Sequence, residues 1–169
     1  MFIRHLIIAL VTLAVAYSVS PAAHAASAPL GYQLMCLQQP EQCKSGGAAQ
    51  VKVTGDVLAT LKRVNSRVNR TITPRNDSGA DVWSVNASVG DCEDYVLAKR
   101  AALIKAGLPP SALRIAYVKT RSGEGHAILV VKSNGKDLVL DNLTSAIKPL
   151  SQTGYRIISM SSANPTKWS

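Results

Sequence analysis

Val57, Leu61, Val64, Val68 and Ile72 recur at steps of four, three, four and four, an apolar stripe on a 3.6-residue period that predicts an amphipathic helix. Thr54 stands where its N-cap belongs, and Pro74 lies just past its end. A second helix is predicted from about Cys92 to Ala106. Gly107 sits at the place of a left-handed C-terminal cap, and Pro109-Pro110 forbid continuation. The period then changes to two. Leu113, Ile115 and Tyr117 alternate with Arg114 and Lys119 in one strand, followed by strands over 126–131, 138–141 and 154–160. Asn134-Gly135, between Ser133 and Lys136, is the strongest short-range signal for a two-residue hairpin loop. Helices followed by an antiparallel sheet make the class α+β.

Two segments stand apart from this pattern. Arg4 and His5 precede an apolar run, Leu6–Val19, whose 14 residues fall short of the roughly 18 a spanning helix needs. Ala23-His24-Ala25 then reads as an A-x-A cleavage site, so residues 1–25 are expected to be a secretory signal. Its small-residue exit favours cleavage over retention as an anchor. The mature chain would be Ala26–Ser169, periplasmic or secreted, with no further apolar run long enough to cross a membrane. Residues 26–47 carry Pro29, Gly31, Pro40, Gly46 and Gly47 without a sustained period and read as an N-terminal arm. Residues 48–169 suffice for one domain.

Export changes how the three cysteines are read. An oxidising compartment favours pairing, and Cys36 and Cys43 have only six residues between them. Their bridge would staple the arm and leave Cys92 as a single thiol. Without Arg4, 18 basic residues oppose 10 acidic ones, a balance of +8. The charge is scattered, which describes a solvated basic surface and establishes no adhesion to anionic polymer. One Phe and no basic-aromatic motif argue against nucleic acid.

Chemistry concentrates at Gly90-Asp91-Cys92-Glu93-Asp94-Tyr95. A cysteine in the first turn of a helix gains thiolate stabilisation from the exposed N–H groups and the positive end of the dipole. Those N–H groups, that of Cys92 included, also offer donors to an oxyanion. Trp83 and Asn86 on the preceding loop are candidates for a second donor. The flanking carboxylates oppose ionisation of the thiol. Asp91 could be an ordinary N-cap, or the acids could hold a hard cation such as calcium through oxygen.

A thiol nucleophile needs a base, and of three histidines only His126 lies beyond the leader. With Asn134-Gly135 as a two-residue loop, Ile128 comes opposite Asp141. Asp141 is then the diagonal neighbour of His126 on one face of the sheet, able to hold the imidazole and fix its tautomer.

The run Gly-Asp-Cys-Glu-Asp-Tyr opening a helix, Gly-His-Ala starting a strand and Val-Leu-Asp-Asn ending the next resembles the bacterial transglutaminase-like cysteine proteinase family. The likeness runs from about Val64 to Trp168. It implies a papain-like, transglutaminase-like core with the nucleophile at a helix N-terminus packed on an antiparallel sheet, and a triad of Cys92, His126 and Asp141. It further implies calcium on the acids flanking the nucleophile, which map to Asp91 and Glu93, with Asp94 a weaker match. No organic cofactor is implied. This chain is a short version of the family, and the resemblance does not explain the Cys36–Cys43 arm. The expected activity is hydrolysis of a protein or peptide of the cell envelope. Acyl transfer by an amidase or transglutaminase, and a non-catalytic calcium-stabilised binding module, are the alternatives.

Overall fold

A computed structural model of the chain describes residues 26–169; the expected leader at 1–25 lies outside them. The arm is not irregular, as its lack of period suggested, but contains helix α1 (Leu30–Gln38) and a 3₁₀ turn at Pro40–Cys43. Its buried side is Gly31, Tyr32 and Met35, while Leu30, Leu34 and Leu37 face outward, so the apolar residues that usually mark a helix are on the wrong side. Cys36 and Cys43 form a disulfide that closes the arm.

Helix α2 (Gly55–Thr71) follows, its Thr54 side chain accepting the Val57 N–H at 3.3 Å. Leu61, Val64 and Val68 are buried, as their stripe requires. A short parallel pair, β1 (Thr73–Pro74) with β2 (Val89–Gly90), brackets the loop that leads to the second long helix, α3 (Cys92–Lys105). The polar sequence of that loop hides the pairing, which rests on backbone groups alone.

The sheet consists of β3 (Leu113–Lys119), β4 (Gly125–Val131), β5 (Leu138–Leu140), β6 (Lys148–Pro149) and β7 (Arg156–Met160), in the order β6-β5-β4-β3-β7 with every neighbour antiparallel. Leu129 pairs with Leu140 and Val131 with Leu138, the predicted register, but the expected two-residue Asn134-Gly135 loop does not form. The strands end at Val131 and Leu138, Ser133 bridges to Val51, and neither Asn134 nor Gly135 takes the positive φ such a turn needs. Ala127, Leu129 and Val131 pack against α2 and α3, whereas Ile128 and Val130 join Ala116, Val118 and Val139 on the other side. Leu150, Tyr155 and Met160 cover that second face, so β4 is apolar on both sides. Each fully buried aliphatic side chain in these layers contributes about 1.5–3 kcal/mol. No described helix is long and apolar enough to cross a membrane.

Candidate active site

Cys92 begins α3 and half-buries its thiol in a cleft of about 410 Å³, whose walls include His126, Trp83 and Pro29. Gly90, two residues before it, has no room for a side chain: a Cβ would stand 2.0 Å from Asp94 Oδ2. Asp94 in turn accepts the Ser84 N–H at 2.7 Å and draws the preceding loop over the helix end. Glycine is therefore required by close approach, and Asp94 is tied up in folding the loop.

His126 stands near the start of β4, 5% exposed, with Nε2 2.9 Å from Asp141 Oδ1. Asp141 follows β5 directly and also accepts the Tyr155 hydroxyl at 2.6 Å and the Leu143 N–H at 2.9 Å. Burial works against its charge, but the bonds from His126, Tyr155 and Leu143 outweigh it and hold Asp141 below the usual carboxylate range. A carboxylate only accepts, so Nε2 carries the proton and Nδ1 remains the acceptor nitrogen. Burial and the Asp141 charge push the Tyr155 hydroxyl up, which keeps it a donor.

Tyr155 was invisible in the sequence. Its position depends on β7 folding back beside β3 across a register shift between Tyr117 and Val118, and no local spacing announces that. Asn69 was equally silent: from α2 it donates to the Asp141 carbonyl at 2.9 Å and anchors the loop that carries the acid.

The thiol itself is poorly placed to ionise in the bare protein. Burial and the neighbouring Glu93 push Cys92 up to about 12, against a hydrogen bond from the Ala127 backbone that lowers it. Glu93 Oε2 lies 3.4 Å from the sulfur as acceptor. Glu93 is only 5% exposed and is itself pushed up to about 9 by burial and its contacts with Asp91 and Asp81.

Asp91 does not cap α3 with its side chain; its Oδ2 accepts the Asp77 N–H at 3.2 Å instead. Asp91 is thus the N-cap residue by position, its carbonyl accepting the Tyr95 N–H, but without a capping bond from its side chain. Carboxylate oxygens of Asp77, Asp91 and Glu93 lie within 4.8 Å of one another, and Asp91 Oδ1 and Glu93 Oε1 are buried without a partner. Converging, orphaned carboxylate oxygens fit a hard cation such as calcium. Asp77 lies in the Asn76-Asp77-Ser78-Gly79 turn, 14 residues from Asp91, a separation at which no motif links them. Of the two suggested oxyanion donors, Trp83 spends its Nε1–H on Asp81 Oδ2 at 2.7 Å, and Asn86 is exposed and does not line the cleft.

Lys99, two turns along α3, is completely buried with its Nζ unpartnered, 5.5 Å from the centre of the Tyr95 ring. Burial lowers it to about 7, an effect the Asp141 charge only partly offsets. The unfolded chain keeps that proton to about pH 10, so between these values the folded state binds fewer protons and stability rises with pH. Lys99→Met is expected to raise the melting temperature by a few degrees at pH 6 and to flatten the rise above pH 7. A melting profile with the wild-type slope in the variant would count against this assignment.

A helix-borne thiol sharing a cleft with a strand-borne histidine–carboxylate pair is the arrangement of the papain-like and transglutaminase-like cysteine peptidases. The chain belongs to the bacterial transglutaminase-like cysteine proteinase family (BTLCP), whose family model matches residues 22–169. Calcium-bound LapG of Legionella pneumophila is 26% identical with a TM-score of 0.56, the match covering 66% of this chain and 67% of that one. EGTA-treated LapG gives the same identity and TM-score over 66% of this chain and 65% of LapG. A further LapG structure matches with a TM-score of 0.58 over 68% and 67%. The chain thus spans about two thirds of the LapG chains it matches. No curated protein matches the sequence significantly.

Proposed function

We propose that this chain is an exported cysteine peptidase that cleaves protein or peptide substrates of the cell envelope through an acyl-enzyme on Cys92. The observation that carries the reading is the 2.9 Å bond between His126 Nε2 and Asp141, which leaves Nδ1 as base in the cleft that holds the thiol. Family membership and the LapG likeness support it. Export rests on the leader pattern at 1–25 and suits the Cys36–Cys43 disulfide.

In this scheme the Cys92 proton passes to His126 Nδ1 as sulfur bonds to the scissile carbonyl carbon. The resulting oxyanion is met by the Cys92 N–H at the helix end. Collapse breaks the C–N bond, and the departing amine takes the proton back from His126. Water, deprotonated by His126, then adds to the thioester and releases the acid and the free thiol. Asp141, held by Tyr155 and Leu143, keeps the imidazole in one tautomer throughout.

Asp77, Asp91 and Glu93 are the residues that would hold calcium, and one LapG structure is calcium-bound. A divalent cation there would neutralise the carboxylates that otherwise oppose ionisation of Cys92.

The test is a survey of new N-termini in an envelope protein fraction incubated, with calcium, with the mature protein or its Cys92→Ala variant. Termini produced by the wild type alone are expected. None, or the same set from both, would overturn the reading. Incorporation of an added primary amine into glutamine side chains, in place of cleavage, would instead show acyl transfer.

A further inference from the structure

The disulfide arm has no part in the scheme above, yet it reaches the cleft. Pro29 lines the cleft beside Trp83 and Cys92. The next residue but one, Gly31, lies so close to the cleft wall that a Cβ would stand 2.4 Å from Trp83 Cδ1 and 2.5 Å from the Asp81 carbonyl oxygen. Backbone of the arm is therefore pressed directly onto the residues that form the wall.

Three ties hold it there. At its start, Ala26 forms an antiparallel bridge with Trp168. In the middle, Tyr32 is 1% exposed and stands edge-on to Trp83 and Trp168, with ring centres at 5.4 and 5.8 Å. At its end, the Cys36–Cys43 bridge closes the turn, and the buried Arg100 of α3 donates to the Gln42 carbonyl. The helix that presents Cys92 thus also anchors the far end of the arm. Among the described residues nothing covers the outer side of the arm: Leu30 is 71% and Leu37 80% exposed. Among these residues the arm is one helix thick between cleft and solvent, and the disulfide couples α1 to the Pro40–Cys43 turn that Arg100 holds.

We propose that residues 26–38 form one wall of the substrate cleft, with Pro29 and Trp83 gripping an extended peptide against β4, and that the Cys36–Cys43 bridge keeps this wall in place. The proposal rests on Cys92 being the nucleophile. Apolar, inflexible side chains at this wall select by shape and apolar contact. A peptide is held between the arm on one side and Gly125–Ala127 on the other, while a small electrophile needs neither.

Two thiol reagents separate these roles. Rates of Cys92 modification by iodoacetamide and by a tripeptide chloromethyl ketone ending in phenylalanine are measured, in calcium, for the wild type, Pro29→Ala and the double variant Cys36→Ala with Cys43→Ala. Both variants are expected to lose about tenfold in the rate with the peptide reagent. Their iodoacetamide rates are expected to stay within about twofold of wild type, a difference below 0.5 kcal/mol. Pro29 is on the rim and its replacement leaves the core packing untouched, so the result does not hang on the disulfide variant folding. Equal losses with both reagents would show that the arm acts through the thiol, and unchanged rates that it touches no substrate; either overturns the proposal. Failure of the nucleophile assignment has a separate signature: iodoacetamide would then modify Cys92 equally fast in the wild type and in His126→Ala.

Discussion

Cys92→Ala and His126→Ala are each expected to lower kcat/KM for peptide hydrolysis by a factor on the order of 10⁶, and Asp141→Asn by on the order of 10⁴. The first two remove groups that act as a unit, so either loss leaves only binding and oxyanion contacts. Asp141 acts through His126. An asparagine whose oxygen stays toward His126 and the Leu143 N–H, which share Oδ1 in the wild type, turns its NH₂ group toward the Tyr155 hydroxyl, which donates to Oδ2 in the wild type. The side chain must then either give up the bond that Tyr155 donates or flip and present its NH₂ to Nε2 and the Leu143 N–H, which would force the wrong tautomer. Residual activity follows from the fraction of molecules that resolve the conflict correctly. Peptide hydrolysis under single-turnover conditions measures all three variants, with circular dichroism as the control for folding. Activity in His126→Ala comparable with wild type would falsify the assignment.

Removing calcium is expected to have the next largest effect. Asp77, Asp91 and Glu93 bring their oxygens within 4.8 Å of one another beside a thiol that burial and Glu93 already push up to about 12. At a free calcium concentration about 100 times its Kd, binding would stabilise the fold by about 2.7 kcal/mol, roughly 5–10 °C in melting temperature for a domain of this size. Chelation with EGTA should therefore lower the melting temperature and slow both hydrolysis and alkylation of Cys92. Calcium should restore them better than magnesium, whose strict octahedral geometry suits an irregular loop less well. Three carboxylates supply at most six oxygens, and one each if monodentate, so carbonyls or water would complete a fuller shell. A melting temperature and alkylation rate unmoved by EGTA would retire the cation site and leave the triad untouched.

How far each feature could be read from sequence follows from the range of the interaction that makes it. Helix α2 announces itself because its buried residues lie in one stripe, and the β4–β5 register follows the count centred on Asn134-Gly135 even though the connection itself is wider than the two-residue turn. From that register the proximity of Asp141 to His126 follows by counting. Helix α3 shows no such face, since Glu93, Asp94, Lys99 and Arg100 are all buried and the helix is enclosed nearly all round. Helix α1 was missed for the opposite reason: glycine, tyrosine and methionine make its contact and leucines face water.

By itself, then, the sequence determined the features built from neighbours along the chain: two helices, a strand pair and its register, a single thiol, and one histidine beyond residue 25. Tertiary structure alone decided what depends on surfaces meeting across long separations. It brought Tyr155 and Asn69 to Asp141, Asp77 to Asp91 and Glu93, and the arm to the rim of the cleft. Periodicity and turn chemistry act over a few residues and leave a local imprint. A side chain that meets its partner only after the sheet has closed and β7 has folded back beside β3 obeys constraints of packing and charge that no local spacing records.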